Sequence, residues 1–376
     1  MSSQTRSPRT ARAGRLVRRL ALPVVAGLVL VGCAGTPHHS AAPATTARNG
    51  PPSSSAPTRG PVNVYAHDGV GMFAPPAAHA PYLLYVPESA GDGVDVVDPV
   101  KMKIIAHYKT GLDPQHVVPS WDEKTLYSTN DLSNTLTPFD PLTGRPKGPN
   151  IRVDDPYNMY FTPDGRHAII VAEARQHLDF RDPHTFALDK RLVVSCPGID
   201  HGDFSADGSF AIFSCEFGGK MVKVDLRTET VAGYLTLPGS STQDVKLSPD
   251  GKIFYAADMY LGGVHLISAA TFRQVGFVKT GKDAHGLYIS RDGRDLYVSN
   301  RGAGSVSVID VATNKVVQVW KIPGGGSPDM GNVSPDGKTL WLSGRYNATV
   351  YAISTVDGSV RQIHVPNKPH GLCVWP

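Results

Sequence analysis

Phe161-Thr-Pro-Asp-Gly165 stands between two apolar runs, and the chain repeats it. The phrase returns as Phe204-Ser-Ala-Asp-Gly208, Leu247-Ser-Pro-Asp-Gly251, Ile289-Ser-Arg-Asp-Gly293 and Val333-Ser-Pro-Asp-Gly337. Its Asp-Gly pairs begin at Asp164, Asp207, Asp250, Asp292 and Asp336, a period of 42 to 44 residues. A fixed period of that size marks a repeat architecture whose units bury their faces only against one another. Asp-Gly between alternating apolar runs signals a hairpin, and a type I′ turn with φ > 0 at both central residues is expected there.

Around Asp292 the pattern predicts strands over 285–290, 296–299, 305–310 and 316–322. Four strands in such a period make a propeller blade. Six units begin near Gln115, Tyr157, Asp200, Gln243, Ala284 and Pro328, the first with Asp122-Glu123 at its hairpin. After the sixth only one strand remains, in Pro369-His-Gly-Leu-Cys-Val-Trp375. Three strands without a partner lie at the other end, near 83–86, 93–98 and 104–108. The expected fold is all-β. It is a seven-bladed β-propeller of four-stranded antiparallel blades over residues 81–376, closed by a clasp of both termini that leaves no radial edge.

Leu296-Tyr-Val-Ser-Asn300 and Thr125-Leu-Tyr-Ser-Thr-Asn130 carry a family resemblance. With these blades the chain resembles the YVTN-type seven-bladed propeller proteins of bacteria from residue 81 onward, and among them exported lipoproteins of high-GC Gram-positive species. The resemblance implies the fold. It is nearly silent on chemistry, because members span binding, lyase, lactonase and cofactor-carrying roles.

Residues 1–33 read as a lipoprotein signal peptide. Six arginines precede the apolar run 20–31, which is too short for a comfortable membrane span and ends in Leu30-Val31-Gly32-Cys33. That ending resembles a lipobox, so Cys33 is the expected lipidation site, anchoring an exported protein to the outer face of the cell membrane. Without the six leader arginines the formal charge falls from +4 to −2, which removes electrostatic support for a nucleic-acid partner. Residues 34–60 are rich in Ala, Pro, Ser and Thr and are expected to form a disordered tether. Residues 61–80 lie outside the repeat and read as a lead-in or cap.

In a propeller, strand one starts and strand two ends on one face beside the central channel. At the first place the blades offer His116, Asn158, His201, Asp244, His285, Asp329 and His370. At the second they offer Asn130, Glu173, Glu216, Asp258, Asn300, Gly344 and, from the clasp, Glu88. His116, His201, His285 and His370 are the candidate metal ligands, with Asp244 and Asp329 weaker ones. Imidazole with carboxylate suits copper, zinc or iron. Glu173 or Glu216 is the candidate general base. Arg301, Arg345, Asn158 and Asn300 are candidate substrate contacts, the arginines for a carboxylate or phosphate. One irregularity stands out. His116, Asn158, His201 and Asp244 lie three residues before the last apolar residue of their strand, whereas His285, Asp329 and His370 lie four before it. Such an offset sends a side chain to the other face and argues against one ring of histidines.

Cys196 and Cys215 flank one hairpin and come within disulfide reach, which an exported compartment permits. Cys373 reads as a buried apolar thiol. Gly324-Gly-Gly326 precedes no helix and is no phosphate loop.

Two functional readings follow. The first, which the lack of a specific catalytic motif favours, is a lipid-anchored binding or scaffolding module. It would face an envelope protein, peptide or glycan, or a small molecule in the funnel. The second is a metal-dependent redox or lyase enzyme with its site on the propeller axis.

Overall fold

The computed structural model describes residues 62–376. The signal peptide, Cys33 and the tether lie outside the described residues. Among the described residues there are seven antiparallel blades of β-strand and no helix. The axis is lined by Pro114–Pro119, Pro156–Phe161, Ile199–Phe204, Thr242–Leu247, Ala284–Ile289, Pro328–Val333 and Cys373–Trp375. The last of these pairs with Leu83–Glu88, through Leu83 to Trp375, Leu84 to Val374 and Tyr85 to Cys373. The clasp predicted from the two chain ends is therefore formed.

Burial falls from axis to rim. Second strands such as Ala168–Ala172 are buried at every residue, as suits a strand covered on both faces. Outer strands such as Thr230–Thr236 alternate exposed and half-buried, and Lys103–Lys109 ends in lysine at both termini. Charged outer edges oppose pairing with another chain. In the first full blade the outer strand is split into Arg145–Pro146 and Ile151–Arg152, because proline cannot donate to the ladder.

Seven apolar clusters fill the seven seams between neighbouring blades. Ile169, Leu178 and Phe180 of one blade, for example, meet Phe213, Val222 and Val224 of the next. The seam between the clasp blade and the first full blade joins Tyr85 and Trp375 to Leu126 and Phe139, which closes the ring. Each fully buried side chain of this kind contributes about 1.5–3 kcal/mol.

The repeated hairpin differs from the expected type I′ turn. In Thr162-Pro-Asp-Gly165 the Gly165 N–H donates to the Thr162 carbonyl at 2.8 Å, and only the glycine has positive φ, 70°. Proline sets the φ that a type I turn needs at its second position, which excludes φ > 0 there. The Thr162 hydroxyl donates to Asp164 Oδ1 at 2.7 Å and accepts the His167 N–H at 3.0 Å. Ser205, Ser248, Ser290 and Ser334 repeat this clip with their own aspartates. At the degenerate hairpin Glu123 takes the left-handed place of glycine, with φ 57°.

Residues 62–80 lie across the hairpin face as a cap. Val64 N–H donates to the Pro249 carbonyl at 2.9 Å, and Gly71 N–H to Pro335 at 3.1 Å. Tyr65 Oη donates to the Leu247 carbonyl at 2.9 Å, and Asp68 pairs with Arg291. Cys196 and Cys215 form a disulfide with Cα atoms 5.1 Å apart, and Cys373 is a buried free thiol.

Candidate metal centre

The axial strands of all six full blades carry a β-bulge near their starts. In the first, Pro114 pairs with Asn130 and Val117 with Ser128, so Gln115 and His116 together oppose Thr129. The same shift recurs in the other five. A bulge re-aims side chains, and here it supplies the axis with two consecutive residues per blade instead of one. It also leaves a backbone N–H without a ladder partner. In four of the six blades a hydroxyl of the second strand takes it: Thr129 from His116, Ser214 from His201, Ser299 from Gly286 and Ser343 from Met330.

The doubled position resolves the offset in the sequence. One layer, nearer the strand starts, is Gln115, Tyr157, Asp200, Gln243, His285, Asp329 and His370. The next is His116, Asn158, His201, Asp244, Gly286, Met330 and Gly371. The four candidate histidines therefore divide between two layers and do not form one ring.

His285, Asp329 and His370 are neighbours in the first layer, and each offers a donor atom within 4.8 Å of the others. All three are buried. His285 Nδ1 lies 3.0 Å from Asp329 Oδ1, and His370 Nε2 lies 3.8 Å from Asp329 Oδ2. His285 Nδ1, His370 Nδ1 and Asp329 Oδ2 all lack a hydrogen bond despite this proximity. Burial would raise the Asp329 carboxyl, but His285, Arg301 and Arg345 hold it below the usual carboxylate range. Burial, reinforced by Arg345 and His116, drives His370 well below the ordinary imidazole value, so it is neutral with a free lone pair at pH 7.

In the second layer the His116 ring centre lies 5.1 Å from that of His201 and 4.9 Å from that of His370. His201 Nδ1 meets Asn158 Nδ2 at 3.1 Å and Tyr160 Oη at 3.4 Å, and burial lowers its pKa to about 3. Asn158 thus holds a histidine. Asp244 lies outside the group of converging donors, and its oxygens accept the Val245 and Leu287 N–H groups at 2.9 and 2.8 Å.

The second sequence ring also divides. Residues in the last position of strand two are turned into their own blades. Asn300, the candidate substrate contact, donates to Ser305 and Ser307 Oγ at 3.2 and 3.0 Å. Asn130 likewise binds Thr135 and Thr137, and Asp258 meets His265 at 2.9 Å. The residues one step later reach the mouth. Glu173 is pushed up to about 8 by burial, with Glu216 and Asp131 adding to it. Arg301 pairs with Asp329 at 3.3 Å.

Asp200 was not among the sequence candidates, though it lies four residues before its strand end, as His285 does. It is wholly buried, and both oxygens lack a donor. Burial, then Glu216 and Glu173, raise its carboxyl far above the usual range. Beyond the second layer, under the cap, a cavity of about 510 Å³ reaches His116, Asn158 and His201 and stops short of the three-donor group.

The sequence matches the YNCE-like beta-propeller family over residues 65–376. The chain belongs to that family. No curated protein matches this YNCE-like propeller. Solved structures resemble it across most of its length. Hydrazine synthase of Kuenenia stuttgartiensis is 18% identical with a TM-score of 0.59, covering 78% of this chain and 94% of that one. A functionally unknown protein from Desulfotomaculum acetoxidans is 14% identical with a TM-score of 0.68, covering 78% and 99%. Streptogramin B lyase is 14% identical with a TM-score of 0.59, covering 77% and 91%. At these identities the likeness extends to the fold and no further.

Proposed function

We propose that this YNCE-like propeller is a metal-dependent protein, with a transition-metal ion on its axis held by His285, Asp329 and His370. The observation that carries the reading is the convergence of three buried donors that face one another without hydrogen-bond alignment. Two imidazoles and one carboxylate suit zinc or iron(II) and leave coordination positions open, whereas calcium and magnesium prefer oxygen alone. When bound, such an ion supplies Lewis acidity to a ligand oxygen. Glu173, protonated at neutral pH by burial and by Glu216, is positioned at the mouth as a proton donor. This favours the enzyme reading over the plain scaffold.

Metal content by mass spectrometry on the full-length protein, purified without chelator, tests it. Near-stoichiometric zinc or iron is expected, with loss in Asp329→Asn and His370→Gln and retention in Asp244→Asn. Equal metal content in all four proteins would refute the site.

The scaffold reading has one observation in its favour. Leu132, Phe217, Tyr260 and Tyr346 follow strand two and are 67%, 67%, 73% and 65% exposed around the same mouth. A rim of that kind suits a protein, peptide or glycan partner at the envelope. Cross-linking from position 217 in intact cells would reveal one. The export and anchoring that bring the propeller there belong to the same proposal. A diacylglyceryl-modified peptide starting at Cys33, seen by mass spectrometry, is the expected result.

A further inference from the structure

Seven residues directly follow the seven second strands and crown the axial mouth. In blade order they are Asp131, Glu173, Glu216, Met259, Arg301, Arg345 and Ser89. Three successive blades contribute acids and two others contribute arginine, so charge is segregated across the opening.

Each side holds a group with unmet polar atoms. On the acid side, wholly buried Asp200 sits beneath Glu216 and Glu173 with both oxygens unpartnered. The nearest imidazole nitrogen, His201 Nε2, lies 3.2 Å away but out of hydrogen-bond alignment. On the basic side, Arg345 has no carboxylate within 4.0 Å among the described residues, and its buried Nη1 has no acceptor. Arg301 differs, because it is already paired with Asp329. An unmet carboxylate and an unmet guanidinium are each costly. They are kept apart by their places on blades three and six of the ring.

We propose that the mouth binds a zwitterionic small molecule, its carboxylate taken by Arg345 and its ammonium by the carboxyl oxygens of Glu173, Glu216 and Asp200. The ammonium's charge opposes the burial that keeps Glu173 and Asp200 protonated in the empty mouth, so its arrival favours their ionised forms. Guanidinium and carboxylate match in a planar, two-bond geometry, and an ammonium can donate to three oxygens at once. Exposed Phe217 and Tyr346 flank the opening and give the connecting carbons an apolar wall. The ring of Tyr346 lies 5.4 Å from the Arg301 guanidinium carbon, which holds that wall in place. The inference rests on the metal reading for what lies beneath the ligand, and names the class of molecule that would reach it.

Saturation-transfer NMR on the full-length protein tests it, with acetate, ethylamine, glycine, β-alanine and 4-aminobutyrate as probes. Metal content is measured on the same samples. One amino acid of the series is expected to bind roughly 10-fold tighter than acetate or ethylamine, the worth of one added charged hydrogen bond. Arg345→Met should abolish the preference and Arg345→Lys restore part of it. Glu173→Gln with Glu216→Gln should weaken the amino acid and leave acetate unchanged, with melting curves confirming that each variant is folded. Equal binding of all five probes, or an Arg345→Met protein that binds the amino acid as wild type does, overturns the proposal. The two readings fail separately. Metal-loaded protein that binds no probe sinks the mouth alone, and metal-free protein that still selects the zwitterion sinks the metal alone.

Discussion

Gly371 occupies a tight point on the axis. A Cβ built there would lie 2.0 Å from His116 Nδ1, so the imidazole can fill the second layer only because residue 371 has no side chain. Gly371→Ala is therefore expected to cost about 1–3 kcal/mol in urea unfolding, the usual range for overpacking, and to shift the His116 ring resonances. Glu88 offers a test by pH. It is wholly buried with both oxygens unpartnered, and burial, aided by Asp95, lifts its pKa from 4.5 to about 9. Between those values the folded chain binds a proton that the unfolded chain has released. Stability must then fall as pH rises from about 4.5 to 9, since the slope follows the difference in bound protons. Glu88→Gln should flatten that slope, leaving the variant more stable than wild type at pH 8. A slope unchanged by the substitution would mean the carboxyl finds a cation or water that neutralises it.

The bulge and its hydroxyl form the element that sets the site. Without the extra residue, each axial strand would present one side chain to the channel at this level instead of two. The Ser or Thr that meets the freed N–H is legible in the sequence as Thr129, Ser214, Ser299 and Ser343, one residue before each strand-two end. Its purpose was not legible, because a hydroxyl in a strand reads equally well as a simple β-former. Ser299 Oγ accepts the Gly286 N–H at 2.8 Å and donates to the Asp329 carbonyl at 2.8 Å, tying two blades together. Ser299→Ala leaves the buried Gly286 N–H unmet and the Asp329 carbonyl with only the longer bond from the Tyr288 hydroxyl, at 3.3 Å, and is expected to cost about 1–3 kcal/mol by chemical denaturation. It should also reduce metal occupancy, because the residue it frees carries the carboxylate ligand. The aspartate of the repeated hairpin shows the opposite case. Its role as a clip for Ser, Thr and the following amides is local, so pattern alone located it correctly while mistaking the turn type.

Closure belongs to the whole molecule. Three residues, Cys373 to Trp375, complete a sheet begun almost three hundred residues earlier, and Trp375 and Val374 sit in two different seams. Deleting residues 369–376 removes His370 from the site and several buried apolar side chains from the seams. At about 1.5–3 kcal/mol for each large one, the loss approaches the total of about 5–15 kcal/mol that holds a typical domain folded. The truncated chain is expected to lose its cooperative thermal transition. A sharp transition near that of the full chain would show that six blades close without the clasp.

The number of blades, their strand order and the terminal clasp were determined by the sequence itself. These depend on period and alternation, which are local properties repeated until they add up to a ring. The partition of the axial residues into two layers, and of the strand-two ends into blade-facing and mouth-facing groups, was decided only in the tertiary structure. The first depends on a one-residue bulge, which turns a side chain to another face without altering the apolar pattern around it. The second depends on the residue at which each second strand ends, since neighbouring residues face opposite ways. His285, Asp329 and His370 come from three blades, and only ring closure brings the last of them beside the other two.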